Sequence, residues 1–176
     1  SDAQTQNDFI FPGTKQSLSA ASIGAVYRRS KLEAGIKKEE VFRAYYQENN
    51  KTGNIIKLDI KDTDIKSIES ALSKSFDDNN HLKVVFVTNS RVSKVAHFIE
   101  HNHKNVILIG YDFLKENIDY MDRGIIDFLV CQKPKQQGYR GLISLYQHLA
   151  FGSAVEKIYF MPIDILTKEN SAFYRN

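Results

Sequence analysis

Four short runs of the chain are apolar almost without interruption: "NIIKLDI" (54–60), "KVVFVT" (83–88), "NVILIG" (105–110) and "IDFLVC" (126–131). They are short and rich in β-branched residues, which suits strands buried on both faces. Between and after them, apolar positions recur three and four residues apart. Ile65, Ile68, Leu72 and Phe76 form one stripe. Val92, Val95, Ala96 and Ile99 form a second, and Leu142, Leu145, Tyr146 and Leu149 a third. That spacing lays each set along one helix face. Asp64 and Ser90 stand where helix caps belong, Gly124 where a helix can end, and Pro134 where a missing N–H costs nothing.

Strands alternating with helices predict βαβ units with right-handed crossovers. The expected class is therefore α/β, a parallel sheet with helices on both faces. Upstream the pattern is weaker. "DFIFPG" (8–13) reads as a short strand, Ser17 to Lys31 as a helix, and residues 32–53 hold a further helix around Val41 to Gln47. The tail "KIYFMPIDILTKEN" (157–170) reads as extended.

Parallel sheets of this kind bind ligands beyond the carboxyl ends of their strands. Asn89, Asp112 and Gln132 each follow a different strand by one or two residues. A carboxylate only accepts hydrogen bonds, and its two oxygens can take two neighbouring hydroxyls. Carboxamides donate and accept at once. One carboxylate with two carboxamides suits a neutral polyhydroxylated molecule such as a sugar. A phosphate would call for N–H nests or a basic cluster.

Charge and composition narrow the classes further. The chain has 176 residues, 24 basic and 21 acidic, for a net charge of +3. The basic residues are scattered, so no nucleic-acid face is expected. No apolar run approaches the roughly 20 residues of a membrane span, and "SDAQTQND" lacks the apolar core of a signal peptide. A single cysteine, Cys131, excludes an internal disulfide and permits a reducing cytoplasm, the expected location.

Four other signals weigh less. "HFIEH" (97–101) matches a zinc-helix pattern. The stripe through Val92, Val95 and Ile99 turns His97 and His101 outward, however, so a solvated helix end is expected and no metal. Cys131 could meet His148, but free cysteines are usually small buried hydrophobes. "GTKQS" (13–17) lacks the upstream glycine of a phosphate loop. "YRRSK" (27–31) reads as a basic helix end. No enzyme activity and no cofactor are expected. Tyr111, Phe113 and Tyr139 lie near the presumed cleft and could stack on a sugar ring.

The stretches "VFVTNSRVSKVAHFIE", "VILIGYDFLKENIDYMDRGIIDFLVCQKPKQQGYRG" and "MPIDILTKEN" together resemble the effector-binding half of LacI/GalR-family transcriptional regulators and their periplasmic sugar-binding relatives. The resemblance covers residues 83–170. It implies a Rossmann-like lobe of the periplasmic-binding-protein-like type I fold, in which two lobes close over a ligand. It also implies that Asn89, the Asp112 of the Gly-x-Asp turn and the Gln132 of the Gln-x-Pro-x-x-x-Gly segment line a sugar cleft. Upstream, an Arg–acidic–acidic–Gly–Phe run of the family is matched by "KEEVF", which puts Lys38 in the place of a ligand-reaching arginine. Lysine keeps the charge but not the planar fork. No strand is legible between Arg28 and Lys38.

The division that follows is residues 1–31 as a remnant of the first lobe, 32–152 as the second lobe, and 153–176 as a crossover and tail returning to the first. The expected protein is a cytoplasmic, homodimeric, sugar-responsive regulator. Its partners would be a carbohydrate effector and, only through an N-terminal headpiece absent here, operator DNA. The alternative is a periplasmic sugar-binding receptor of a transporter or sensor.

Overall fold

The computed structural model describes residues 22–27, 40–41, 43–45, 47–48, 55–60, 64–156 and 158–174. "DFIFPG" and Lys38 lie outside these. Six strands form one sheet: β1 (Ser22–Tyr27), β2 (Ile55–Asp59), β3 (Leu82–Val87), β4 (Ile107–Tyr111), β5 (Phe128–Cys131) and β6 (Asp164–Leu166). Their order is β2-β1-β3-β4-β5-β6. All neighbours run parallel except β5 and β6, which are antiparallel. The α/β class with a parallel sheet is thus what the chain adopts, and the extended tail supplies its antiparallel edge.

The four apolar runs became β2 to β5. Their successive side chains face opposite ways. Val85, Val87, Leu108 and Leu129 enter the main core, whereas Val84 packs with Tyr45, Ile55, Ile107 and Ile109 on the other side. Helices α1 (Ile65–Asp78), α2 (Val92–His101) and α3 (Lys115–Asp122) fill the first face. On the second face the helical residues within 40–48 contribute Tyr45. Asp64 caps α1 as its position suggested, its carboxylate accepting the Ser67 N–H at 2.9 Å. Gly124, at φ +75°, ends α3. There its own N–H donates to the Met121 carbonyl and the next N–H, of Ile125, to that of Tyr120, the paired bonds of a left-handed helix stop.

Two local expectations fail. Ser17 to Lys31 is not one helix, because Ser22–Tyr27 is strand β1, lodged between β2 and β3. This strand lies just upstream of the stretch between Arg28 and Lys38 where none was legible. It also places residues before position 31 in the same sheet as residues 55–131. Composition hid it: Ser22, Gly24 and Ala25 are poor strand formers, and a slot between two strands overrode that weak preference. Nor does Ser90 cap α2. The capping position is Arg91, with no side-chain cap of its own.

The last helix, α4 (Pro134–Phe151), opens with Pro134 in its first turn as expected. No residue of it is buried. Among the described residues no helix is long and apolar enough to cross a membrane.

Candidate functional site

The strand order reverses between β1 and β3, since the chain steps from β1 out to β2 and then returns to β3 and onward. Ligand crevices in open α/β sheets form at such a reversal, beyond the carboxyl ends of the strands. Asn89, Asp112 and Gln132 leave β3, β4 and β5 on that edge. Continuing the register past Phe86 with Ile109 brings Asn89 level with Asp112. Continuing past Tyr111 with Val130 brings Asp112 level with Cys131, one residue before Gln132. Neighbouring strands lie about 4.8 Å apart, so the structure gathers three of the four expected residues along one edge. Lys38 falls outside the described residues.

Each strand end is fixed by backbone chemistry. Gly110 is required by close approach, because a Cβ there would stand 2.5 Å from the Val92 side chain. β4 can therefore lie against the start of α2 only with glycine at this position. Two residues on, Asp112 adopts φ +73°, a left-handed conformation that aspartate tolerates better than most residues. Its N–H donates to the Val130 carbonyl at 3.1 Å, and its own carbonyl accepts the Leu114 N–H at 3.0 Å. Asn89 accepts the Arg91 N–H on its Oδ1 at 2.9 Å. That bond takes one of the two Oδ1 lone pairs and leaves Asn89 its Nδ2 donors and one further acceptor position for a ligand. Arg91 carries a buried Nη1 that meets no hydrogen-bond partner among the described residues. The Gln132 carbonyl accepts from Gln137 Nε2 at 2.6 Å. Lys133, at φ +51°, turns the chain into α4.

The C-terminal tail closes over this corner. Lys133 Nζ lies 2.9 Å from Asp164 Oδ2, with both side chains largely shielded. Tyr174 meets Phe113 edge-on at 4.7 Å between ring centres. Burial, then the charges of Asp112 and Asp164, push the Cys131 thiol up to about 12. Burial and Asp112 push the Tyr111 phenol up to about 12. A thiol so disposed is no nucleophile at neutral pH. His148 is engaged elsewhere, its Nδ1 2.9 Å from the Ser153 carbonyl. Phe113 packs against the core and Tyr111 meets Phe86 at 5.8 Å between ring centres, whereas Tyr139 is exposed on α4.

The zinc-like pattern is also spent locally. His97 faces Glu69 at 3.6 Å, His101 Nδ1 lies 3.0 Å from the His97 carbonyl, and the two rings stack at 4.0 Å. Among the described residues no three His, Cys, Asp or Glu side chains gather to hold a metal ion.

One residue escaped the sequence reading. Asn117, in α3, is fully buried. Its Oδ1 accepts the Ser93 N–H at 3.2 Å. Its Nδ2 lies 3.3, 3.1 and 3.0 Å from the carbonyls of Ser90, Tyr111 and Asp112. The only sequence signal was an asparagine five residues after the aspartate of the turn.

Comparison with known proteins agrees with this fold. The family model described as a periplasmic binding protein domain matches residues 13–153. The chain belongs to that family. Among solved structures, a proposed LacI transcriptional regulator from Bacteroides fragilis is 30% identical, with a TM-score of 0.81 over 90% of this chain and 57% of its own. A periplasmic solute binding protein of an ABC transporter from Actinobacillus succinogenes, with bound D-allose, is 14% identical. It has a TM-score of 0.77 over 89% of this chain and 56% of its own. A solute binding protein from Agrobacterium vitis bound with α-D-tagatopyranose is 20% identical, with a TM-score of 0.74 over 85% of this chain and 51% of its own. The last two show the fold alone. The chain spans little more than half the length of these structures. No curated protein matches it.

Proposed function

We propose that this chain is the effector-binding part of a sugar-responsive regulator of the LacI type. The observation that carries the reading is the single edge shared by Asn89, Asp112 and Gln132 at the ends of β3, β4 and β5. There one carboxylate and two carboxamides can meet a polyhydroxylated ligand between two lobes. The 30% identity to a proposed LacI regulator favours this reading. Ligand closure would change how a dimer holds DNA-reading headpieces, a coupling free energy between two sites. On this reading the protein is cytoplasmic and not an enzyme. On this reading residues 32–152 make the second lobe; β1, from the stretch 1–31 expected to belong to the first lobe, and β6, from the tail 153–176 expected to return there, both lie in its sheet.

The exposed apolar residues of α4 and of the segment to Ile163 support that division, as surface that a further lobe or a second copy would cover. Light scattering of the full-length protein is expected to give a dimer. A monomer at high concentration would remove the regulator arrangement.

The second reading, a periplasmic sugar-binding receptor, is favoured by the transporter components among the structural relatives. Affinity for an operator-like DNA, altered by sugar, separates the two.

The site itself is tested with Asp112→Ala and calorimetric titration against D-allose, D-tagatose and D-arabinose, the last being bound by a carbohydrate transporter solute binding protein of the same fold from Agrobacterium radiobacter. Each lost charge-assisted hydrogen bond should cost roughly 1.5–3 kcal/mol, about ten- to a hundredfold in affinity. Unchanged affinity with lowered stability would leave Asp112 as a structural turn residue only.

A further inference from the structure

We propose that Asn117 is a positioning residue that locks the β3 and β4 binding loops into one rigid jaw and caps α2 from across the fold. The inference rests on the sugar-site reading for its functional meaning, but its geometry stands on the hydrogen bonds alone.

Helix α2 begins at Val92, so the Ser93 N–H lies in the first turn, where no intrahelical acceptor exists. The residue at the capping position, Arg91, supplies no side-chain acceptor. Asn117 Oδ1 supplies it instead, at 3.2 Å, from α3. The other half of the same amide faces three carbonyls: Ser90 on the loop after β3, and Tyr111 and Asp112 at the end of β4. The orientation of the amide is therefore fixed. Rotating it by a half turn would set an oxygen against three oxygens and an amino group against the Ser93 N–H.

The consequence falls on Asp112. Its left-handed backbone persists only while its surroundings over-determine it. Three bonds do so: its N–H to Val130, and its carbonyl from Leu114 and from Asn117. Ser90, one residue after Asn89, is tied to the same amide. The backbone that carries the Asp112 carboxylate and the loop that carries the Asn89 carboxamide are thus tied to one buried side chain. Asparagine is suited to this task because one short planar side chain carries both an acceptor and two donors. A leucine of similar size would leave the Ser93 N–H and three carbonyls facing apolar carbon.

The test compares Asn117→Ala with Met121→Ala, a change at the other buried residue of α3, by assigned 1H–15N and 13C spectra in the absence of sugar. Asn117→Ala should move the Ser93 and Leu114 amides and shift the Asp112 Cα and Cβ signals away from left-handed values. Met121→Ala should leave all of them in place at comparable loss of stability. Equal shifts in both variants, or none in Asn117→Ala, would overturn the proposal.

Should Asn117→Ala not fold, hydrogen exchange of the unaltered protein decides. A Ser93 amide protected far beyond its first-turn neighbours supports the clamp, and one exchanging as fast as they do refutes it. Titration of both variants with D-allose, D-arabinose and D-tagatose then reads function. Asn117→Ala should lose about tenfold or more in affinity, as for one hydrogen bond to a charged group, and Met121→Ala little. If the unaltered protein binds none of the three sugars, the sugar reading loses its support, while the spectra still decide the clamp.

Discussion

Helices α1 and α4 carry the same apolar period and end in opposite surroundings. In α1, Ile68, Leu72 and Phe76 all reach the core, and Leu72 is only 2% exposed. In α4, Leu142, Leu145, Tyr146 and Leu149 occupy equivalent positions, yet Leu149 is 75% exposed. The apolar surface of α4 continues into Ile158, Tyr159 and Phe160, with the Arg140 guanidinium 4.2 Å from the Tyr159 ring centre binding helix and segment together. A periodic stripe says which face of a helix is meant to be covered. It does not say whether the cover comes from the same sheet.

The largest effect expected from this contrast is the loss on truncating α1. Leu72→Ala should cost about 2–5 kcal/mol through lost burial and a residual cavity, whereas Leu149→Ala, in this chain as a monomer by itself, should stay within about 0.5 kcal/mol. Urea unfolding of the two variants measures this, and equal losses would break the comparison.

Alkali sharpens it next. The Cys131 thiol and the Tyr111 phenol both have folded values of about 12, above their ordinary 9.0 and 10.0, chiefly because burial disfavours the anions. The folded state therefore holds these protons more tightly than the unfolded chain. The stability linked to them is complete below about pH 9 and is lost as pH rises toward 12. Urea midpoints measured from pH 8 to 11 should fall across that window, and Cys131→Ala should narrow the fall. A flat profile would contradict the burial of this corner.

The two smallest effects come from one substitution with opposite signs. Gly110→Ala forces a methyl against Val92 and should cost about 1–3 kcal/mol. Gly141→Ala meets nothing within 4 Å on α4 and should gain about 0.5–1 kcal/mol from the better helix former. Loss of stability at Gly141 would mean that α4 is packed after all.

What the sequence revealed, and what it withheld, follows the same physical line. β3 to β5 were legible because strands buried on both faces must be largely apolar, and the edge strand β2 through Ile55, Ile56 and Leu58 despite the exposed Lys57. α1 and α2 were legible because a buried helix face must be apolar, and α4 showed the same stripe although no residue of it is buried; α3 showed only Gly124 at its end. Asn89, Asp112 and Gln132 stood out because an apolar run ended in a hydrogen-bonding side chain, and the edge they share follows from strand order. β1 was illegible because Ser22, Gly24 and Ala25 carry no strand signature of their own; its place is set by the neighbours on either side. Asn117 was illegible because a polar residue in a helix ordinarily faces water, and only the fold brings four backbone groups to it. Ser90 illustrates the converse. A good capping residue stood beside the helix start, and a side chain 24 residues beyond Ser93 satisfied the donor.

The central place of β1 also bears on the order of assembly. β3, β4 and β5 are joined by short crossovers and can pair as soon as their own helices form. β1 must pair on one side with β2 and on the other with β3, where Ser22 stands against Leu82. Until it inserts, β2 and β3 each present an open edge of unpaired backbone groups. Closing those edges depends on contacts far apart in the chain, which form slowly. Any folding intermediate that lacks β1 would leave those edges open to pairing with other strands.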